Sequence, residues 1–239
     1  MRGRAMEEKT KQLVYIVEDH QLIREGVGQY LRLSGYEVRL FSDLASLEAG
    51  LKEQEPDLLI QDVMLPDGDG FAFVKELRKT SNFPVIFMTA RIEESDRILG
   101  FELGADDYIT KPFSPKELVL RVQAVLRRYS EKDGKSGDGL FHVQGHTMRF
   151  DERNHSLTVN DEEVFLTAAE WRILAHLIDK ADELVSRSEI LTDCFDYNAE
   201  SYERVVDTHI KNIRAKLGDG PWIETIRGWG YRFIGHKAP

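Results

Sequence analysis

The chain has 239 residues, 41% of them hydrophobic and 31% charged, enough for one large domain or two ordinary ones and too apolar for disorder to be the default. Its single cysteine, Cys194, excludes an intramolecular disulfide and a cysteine-based metal cluster, so a reducing cytoplasm is the expected compartment. A net charge of −10 argues at first sight against a nucleic-acid partner.

The distribution of charge changes that expectation. Residues 150–203 hold 4 Lys+Arg against 14 Asp+Glu, whereas residues 204–239 hold 7 against 3, so an acidic chain ends on a basic stretch. No apolar run reaches the length of about 18 residues that a membrane span needs. The charged start MRGRAMEEKTKQ has no apolar stretch behind it, which argues against a signal peptide.

Residues 12–128 alternate short β-branched runs with longer amphipathic ones. Strands are expected at LVYIV (13–17), YEVRLF (36–41), LLIQ (58–61), VIFMT (85–89) and DYIT (107–110). Between them Ile23, Val27, Tyr30 and Leu31 recur at helical spacing, as do Phe71, Val74 and Leu77. The last helix opens on Ser114-Pro115-Lys116-Glu117, the pattern of a capping box with Pro at the first helical position. Strands separated by helices predict a doubly wound α/β unit, a five-stranded parallel sheet with helices on both faces.

Residues 129–138, within YSEKDGKSGDG, carry no periodicity and read as a linker. From 139 to 236 the pattern is that of a small α+β domain. Short antiparallel strands with turns at Glu152 to Asn154 and Asn160-Asp161 come first. Helices follow, opening at Thr167-Ala168-Ala169-Glu170 and Ser186-Arg187-Ser188-Glu189, then one over roughly 202–217, and a hairpin around Arg227 to Gly230 closes the domain.

Ligands of an open parallel sheet sit at the carboxyl ends of its strands. There this sequence places Glu18 and Asp19, Asp62, Thr89 and Lys111, five polar side chains from four strands. Three carboxylates that close repel one another unless a hard divalent cation holds them, and Mg²⁺ suits such oxygen donors. One carboxylate is then available as a nucleophile toward phosphorus, with Lys111 and Thr89 as donors to phosphoryl oxygens.

The motifs VEDH, QDVMLPDGDG, FMTAR and GADDYITKPFSPKEL resemble those of bacterial two-component receiver domains, with a flavodoxin-like fold. The resemblance implies that Asp62 accepts phosphate from a sensor histidine kinase. It implies Mg²⁺ bound by Asp19 and Asp62, by Glu18 through water and by the Met64 main-chain carbonyl. Thr89 and Tyr108 match the switch pair, and Lys111 the phosphate-binding lysine, followed by a Pro usually joined through a cis peptide. It further implies a symmetric homodimer on phosphorylation, for which Arg97 with Glu117, and Asp106 or Asp107 with Arg121, offer opposite charges; the same charges also suit pairs within one chain.

In the C-terminal half, Val206, Ile210, Ile213 and Leu217 share one helix face, and Arg204, Thr208, Lys211, Asn212 and Ala215 line the other. That second face mixes cations for phosphate with short polar groups for base edges. Arg227, beside Gly228 and Gly230, fits a minor groove. LTAAEWRIL, VSRSEIL, RVVDTHIKNIRAKLG and IETIRGWGYRF resemble the winged helix-turn-helix effector domain of the OmpR/PhoB family. By that resemblance the helix is the recognition helix in double-stranded promoter DNA, Arg204 and Arg214 approach phosphates, Thr208, Lys211 and Asn212 face bases, and Arg227 is the wing arginine. The acidic stretch with Asp196, Glu200 and Glu203 corresponds to the family's RNA polymerase loop.

Two other readings differ in class. A phosphohydrolase would carry a second Asp two positions after the first, where this chain has Met64, so enzymatic turnover beyond slow self-dephosphorylation is not expected. A winged helix serving protein binding is the other, against which the basic helix face and Arg227 stand.

Overall fold

The computed structural model describes residues 11–91, 93–130, 138–152, 154–195 and 203–238. β-branched and aromatic runs form β1 (Leu13–Val17), β2 (Glu37–Phe41), β3 (Leu58–Asp62), β6 (Val85–Thr89) and β7 (Asp107–Thr110), with a two-residue ladder of β4 (Met64–Leu65) and β5 (Gly68–Asp69) after β3. Between and after them lie α1 (Gln21–Leu33), α2 (Leu44–Glu53), α3 (Gly70–Leu77), α4 (Glu94–Glu102) and α5 (Pro115–Ser130). The five long strands pair in parallel in the order β2-β1-β3-β6-β7.

Strand periodicity sends alternate residues to opposite faces. Val14, Ile16, Ile60, Ile86 and Met88 pack beneath Val27 and Leu31 of α1 and Leu118 and Val122 of α5. Leu13, Tyr15, Leu59, Val85 and Phe87 meet Leu47 of α2, Phe71 and Val74 of α3 and Phe101 of α4. Asp43 and Asp69 cap α2 and α3 by accepting from the amides of Ser46 and Ala72. The final helix runs through Ser130, two residues into the stretch read as linker, and residues 131–137 of that stretch lie outside the described residues.

The second unit begins with the antiparallel strands β8 (Gly139–Val143), β9 (His146–Asp151), β10 (Ser156–Val159) and β11 (Glu162–Glu163), joined at β8 by the terminal β15 (His236–Lys237). Asn160 and Asp161 take positive φ in the turn before β11, as the sequence expects. Then come α6 (Ala168–Asp179), the short β12 (Val185–Ser186), α7 (Arg187–Phe195), α8 (Glu203–Leu217), β13 (Ile223–Ile226) and β14 (Gly230–Phe233). Thr167 and Glu170 form the full capping box of α6. At α7 the Ser186 hydroxyl accepts from the Glu189 amide, while the Glu189 carboxylate is held by Lys180. Among the described residues no helix is long and apolar enough to cross a membrane.

The wing of this unit, β13 and β14, is stitched to β12 through Gly230, which pairs with Ser186. A Cβ there would lie 2.0 Å from the Val185 carbonyl oxygen, a backbone atom that cannot swing aside. Gly230→Ala is therefore expected to destabilise the second unit by about 3 kcal/mol, the upper range for overpacking. Urea unfolding followed by tryptophan fluorescence reads this, and an unchanged midpoint would show that the strand pair yields.

Candidate functional sites

The loop ends of β1, β3, β6 and β7 converge as the sequence predicts. Glu18 and Thr89 are fully buried and Asp62 is 3% exposed, while Asp19 stands in solvent. Ligand oxygens of Glu18, Asp19 and Asp62 all lie within 4.8 Å of one another. Lys111 bridges two of them, its Nζ 2.5 Å from Glu18 Oε2 and 2.7 Å from Asp62 Oδ2. The other Asp62 oxygen accepts from the Met64 amide at 3.1 Å.

Local backbone geometry holds these groups in place. Arg24 Nη1 donates to the carbonyls of Glu18 and Asp19 at 2.6 and 2.9 Å, and the Gln61 amide donates to the Asp62 carbonyl at 2.7 Å. Gly70 lets α3 start close behind the pocket, since a Cβ there would fall 2.2 Å from the Asp62 carbonyl oxygen. The Lys111-Pro112 bond is cis. Arg24, Gln61 and Gly70 were not singled out from the sequence, because their contributions run through backbone carbonyls.

Charge shapes the pocket further. Burial raises the pKa of Glu18, with Asp62 adding like-charge repulsion against the pull of Lys111. For Lys111 burial acts downward, but Asp62 and Glu18 outweigh it and hold the ammonium above its ordinary value. The donor set is all oxygen and carries three carboxylates, the chemistry that a hard divalent cation such as Mg²⁺ requires.

Thr89 Oγ1 accepts from the Arg91 amide at 3.2 Å, and Tyr108 donates to the Arg91 carbonyl at 3.0 Å. The Tyr108 ring is 4% exposed and lies against Gly100 of α4, where a Cβ would stand 3.1 Å from it. Burial pushes the phenol up to about 12, so it is a donor at neutral pH.

The residues read as charged dimer contacts have partners within this chain. Arg121 pairs with both oxygens of Asp107 at 3.1 Å and with Glu117 at 2.9 Å. Asp106 is fully buried, its carboxylate 3.0 Å from Arg172 of α6 and 3.6 Å from Arg78, which withdraws it from any free surface in this arrangement. Arg97 lies on α4.

On α8, Val206, Ile210, Ile213 and Leu217 are buried, as the periodicity requires. Arg204 and Lys211 are exposed, and Thr208 and Asn212 are half-buried. Thr208 Oγ1 lies 3.2 Å from Glu102 Oε1 and Asn212 Nδ2 lies 3.3 Å from the Glu102 carbonyl, at the end of α4. Arg214 turns toward the wing, donating to the Ile223 carbonyl at 2.6 Å and to Thr225 at 2.8 Å. Arg227 is exposed at the tip beside Gly228 at positive φ, and Trp229, passed over in the sequence, is 69% exposed there. Asp196 and Glu200 lie outside the described residues; Glu203 opens α8.

Comparison with known proteins places these two sites in context. Residues 14–123 match the model of the response regulator receiver domain, and residues 161–233 that of the transcriptional regulatory protein C-terminal domain. The chain is 40% identical over 232 residues to a probable transcriptional regulator, ycf27, of Porphyridium aerugineum, covering 93% of this chain and 96% of that one. It is 38% identical over 226 residues to the phosphate regulon transcriptional regulatory protein PhoB of Escherichia coli, covering 92% and 96%. Among solved structures, a RitR mutant superposes with a TM-score of 0.74 over 93% of this chain and 98% of its own at 22% identity, a likeness of fold. A receiver followed by an effector of this type makes a transcriptional response regulator, which implies a histidine kinase and DNA as partners. The chain belongs to the OmpR/PhoB family of two-component response regulators.

Proposed function

We propose that this regulator takes a phosphoryl group from a sensor histidine kinase onto Asp62, dimerises through its receiver and binds tandem promoter half-sites. The observation that carries the reading is the clasp of Lys111 on Asp62 and Glu18 at the strand ends, with Asp19 beside it. An Asp62 oxygen attacks phosphorus, a P–O bond forms, and the P–N bond breaks with its electron pair going to the kinase imidazole.

Glu18, Asp19, Asp62 and the Met64 carbonyl would hold Mg²⁺, which when bound neutralises phosphoryl charge. Lys111 and Thr89 supply the remaining donors to the phosphoryl oxygens, and Tyr108 follows Thr89 as the switch residue. Turnover is limited to slow self-dephosphorylation, so the aspartyl-phosphate is a timer.

In the dimer the tether raises the effective concentration of the second winged helix, a gain of about 10² or more without a new contact. Arg97, Glu117, Asp107 and Arg121 would exchange their present pairing for pairing across the twofold axis. Arg204, Thr208, Lys211 and Asn212 address one major groove, with Arg227 in the minor groove. Arg214, tied to the wing strand, serves by orienting the wing against the helix. The acidic stretch of Asp196, Glu200 and Glu203 would face RNA polymerase, in the cytoplasm.

Selection from random duplex DNA, run with and without Mg²⁺ and beryllofluoride, tests this. A tandem half-site enriched mainly with the phosphoryl mimic is expected. Equal enrichment in both arms would remove the switch from Asp62, and none in either would turn the effector into a protein-binding module.

A further inference from the structure

In the second unit, α6 and α7 bring a histidine against two carboxylates. Glu189 and Asp193 stand one turn apart on α7, so both side chains leave the helix on one side. His176 faces them from α6, its Nε2 3.7 Å from Glu189 Oε1 and 3.7 Å from Asp193 Oδ2. Both distances are too long for hydrogen bonds. That Nε2 is buried, and among the described residues it has no hydrogen-bond partner, although buried polar atoms are as a rule satisfied. One ligand atom from each of the three residues lies within 4.8 Å of the other two. Lys180, one turn beyond His176 at the end of α6, ion-pairs with Glu189 Oε1.

We infer that His176, Glu189 and Asp193 form a second metal site, for Zn²⁺, apart from the acid pocket of the receiver. The donor chemistry separates the two. Glu18, Asp19 and Asp62 offer oxygen alone and suit a hard cation, whereas an imidazole nitrogen with two carboxylates suits a transition metal, and Zn²⁺ takes three such protein ligands and a water. With bonds of about 2.0–2.2 Å a tetrahedral ion holds its donors about 3.4 Å apart, a few tenths of an ångström inside the present spacing. Asp193 has room to close that gap, since its side chain is 46% exposed. His176 and Asp193 also line an open cavity of about 240 Å³, which gives the ion a path in and its water a place. Lys180 competes with the metal for Glu189, and the ion must displace the ammonium or share the carboxylate with it. Once bound, Zn²⁺ ties α7 to α6 across their packed faces.

Titration calorimetry of Zn²⁺ into the full chain, with excess Mg²⁺ present to occupy the acid pocket, tests the site. The wild type is expected to take up Zn²⁺ in a step that His176→Gln and Asp193→Asn each weaken by more than about 100-fold, since losing a ligand costs more than losing one of its outer partners. Lys180→Met removes the competing ammonium and is expected to tighten the same step about fivefold, the upper worth of an exposed ion pair. Hydrogen exchange supplies a readout that a merely structural role would not move: Zn²⁺ should slow exchange of the α7 amides in the wild type and leave it unchanged in His176→Gln. An uptake step unaltered by both His176→Gln and Asp193→Asn would place the ion elsewhere and overturn the site. Absence of Zn²⁺ uptake by both the wild type and Lys180→Met would overturn it equally, leaving His176 as a buried ring between two carboxylates.

Discussion

Asp62→Asn will leave the receiver folded and abolish phosphoryl uptake. The amide keeps the size of the carboxylate and still offers an acceptor to the Met64 amide, which lies 3.1 Å from Oδ1. Its nitrogen is no nucleophile at neutral pH, and loss of an activated nucleophile removes at least about 10³-fold of rate. The electrostatic balance favours tolerance. Lys111 keeps Glu18 at 2.5 Å, while Glu18 is relieved of the repulsion that Asp62 adds to it. Stability should stay within about 1 kcal/mol of the wild type, because one like-charge repulsion is exchanged for one lost ion pair. Intact-mass measurement after exposure to phosphoramidate and Mg²⁺ reads the first expectation, and a chemical melt the second. Continued phosphorylation of the variant to the wild-type extent would place the phosphoacceptor on another carboxylate.

The parallel sheet was legible because its central strands β1, β3 and β6 are buried at every position and read as continuous apolar runs that give way to polar residues. The five strands fall within a residue of the expected bounds, and Asp62 itself closes β3. Helix α4 was expected only from the alternation of strands and helices and from the resemblance, with no periodic residues of its own to mark it. Its sequence ESDRILGFE contains Gly100 and a short apolar segment, and its apolar residues are shared between the receiver core and a second unit. Tyr30 was grouped with the core face of α1 and stands 49% exposed, since helical spacing alone does not fix how wide the buried stripe is.

The contact of Asp106 with Arg172, between the two units, escaped for a related reason. Asp106 reads as one of two surface acids until Arg172 is noticed within the apolar run WRILAHL, a charge out of pattern whose partner lies 66 residues earlier. Likewise His209 and Val205 break the expected division of α8 into a core face and a DNA face. They occupy a third face, turned toward the receiver, and a single helical wheel drawn for one domain has no place for it. What spacing cannot carry is a contact between two units, because neither unit's own periodicity depends on it.

His209 makes the closing expectation, a loss of stability in mild acid. The ring is fully buried, stacked on Phe195 at 5.4 Å, and among the described residues neither nitrogen has a hydrogen-bond partner. Burial lowers its pKa to about 4; Glu170 and Asp106 pull upward, and Arg172 and Lys216 act downward. In the unfolded chain an ordinary histidine titrates near 6.5, so between about pH 6.5 and 4 the unfolded state binds more protons than the folded one. The stabilisation is therefore fully present above about pH 6.5 and is lost as pH falls toward 4, by about 2 kcal/mol at pH 5 and about 3 kcal/mol at pH 4. Carboxylates contribute their own slope in that range, so the informative quantity is the difference from His209→Phe, which keeps an aromatic ring against Phe195 and cannot take up a proton. Urea unfolding at about pH 7.5 and pH 5 should show the wild type losing about 2 kcal/mol more than the variant. Equal losses in the two proteins would mean that the His209 ring accepts its proton without leaving the interior, through a rearrangement that brings Glu170 or Asp106 within reach.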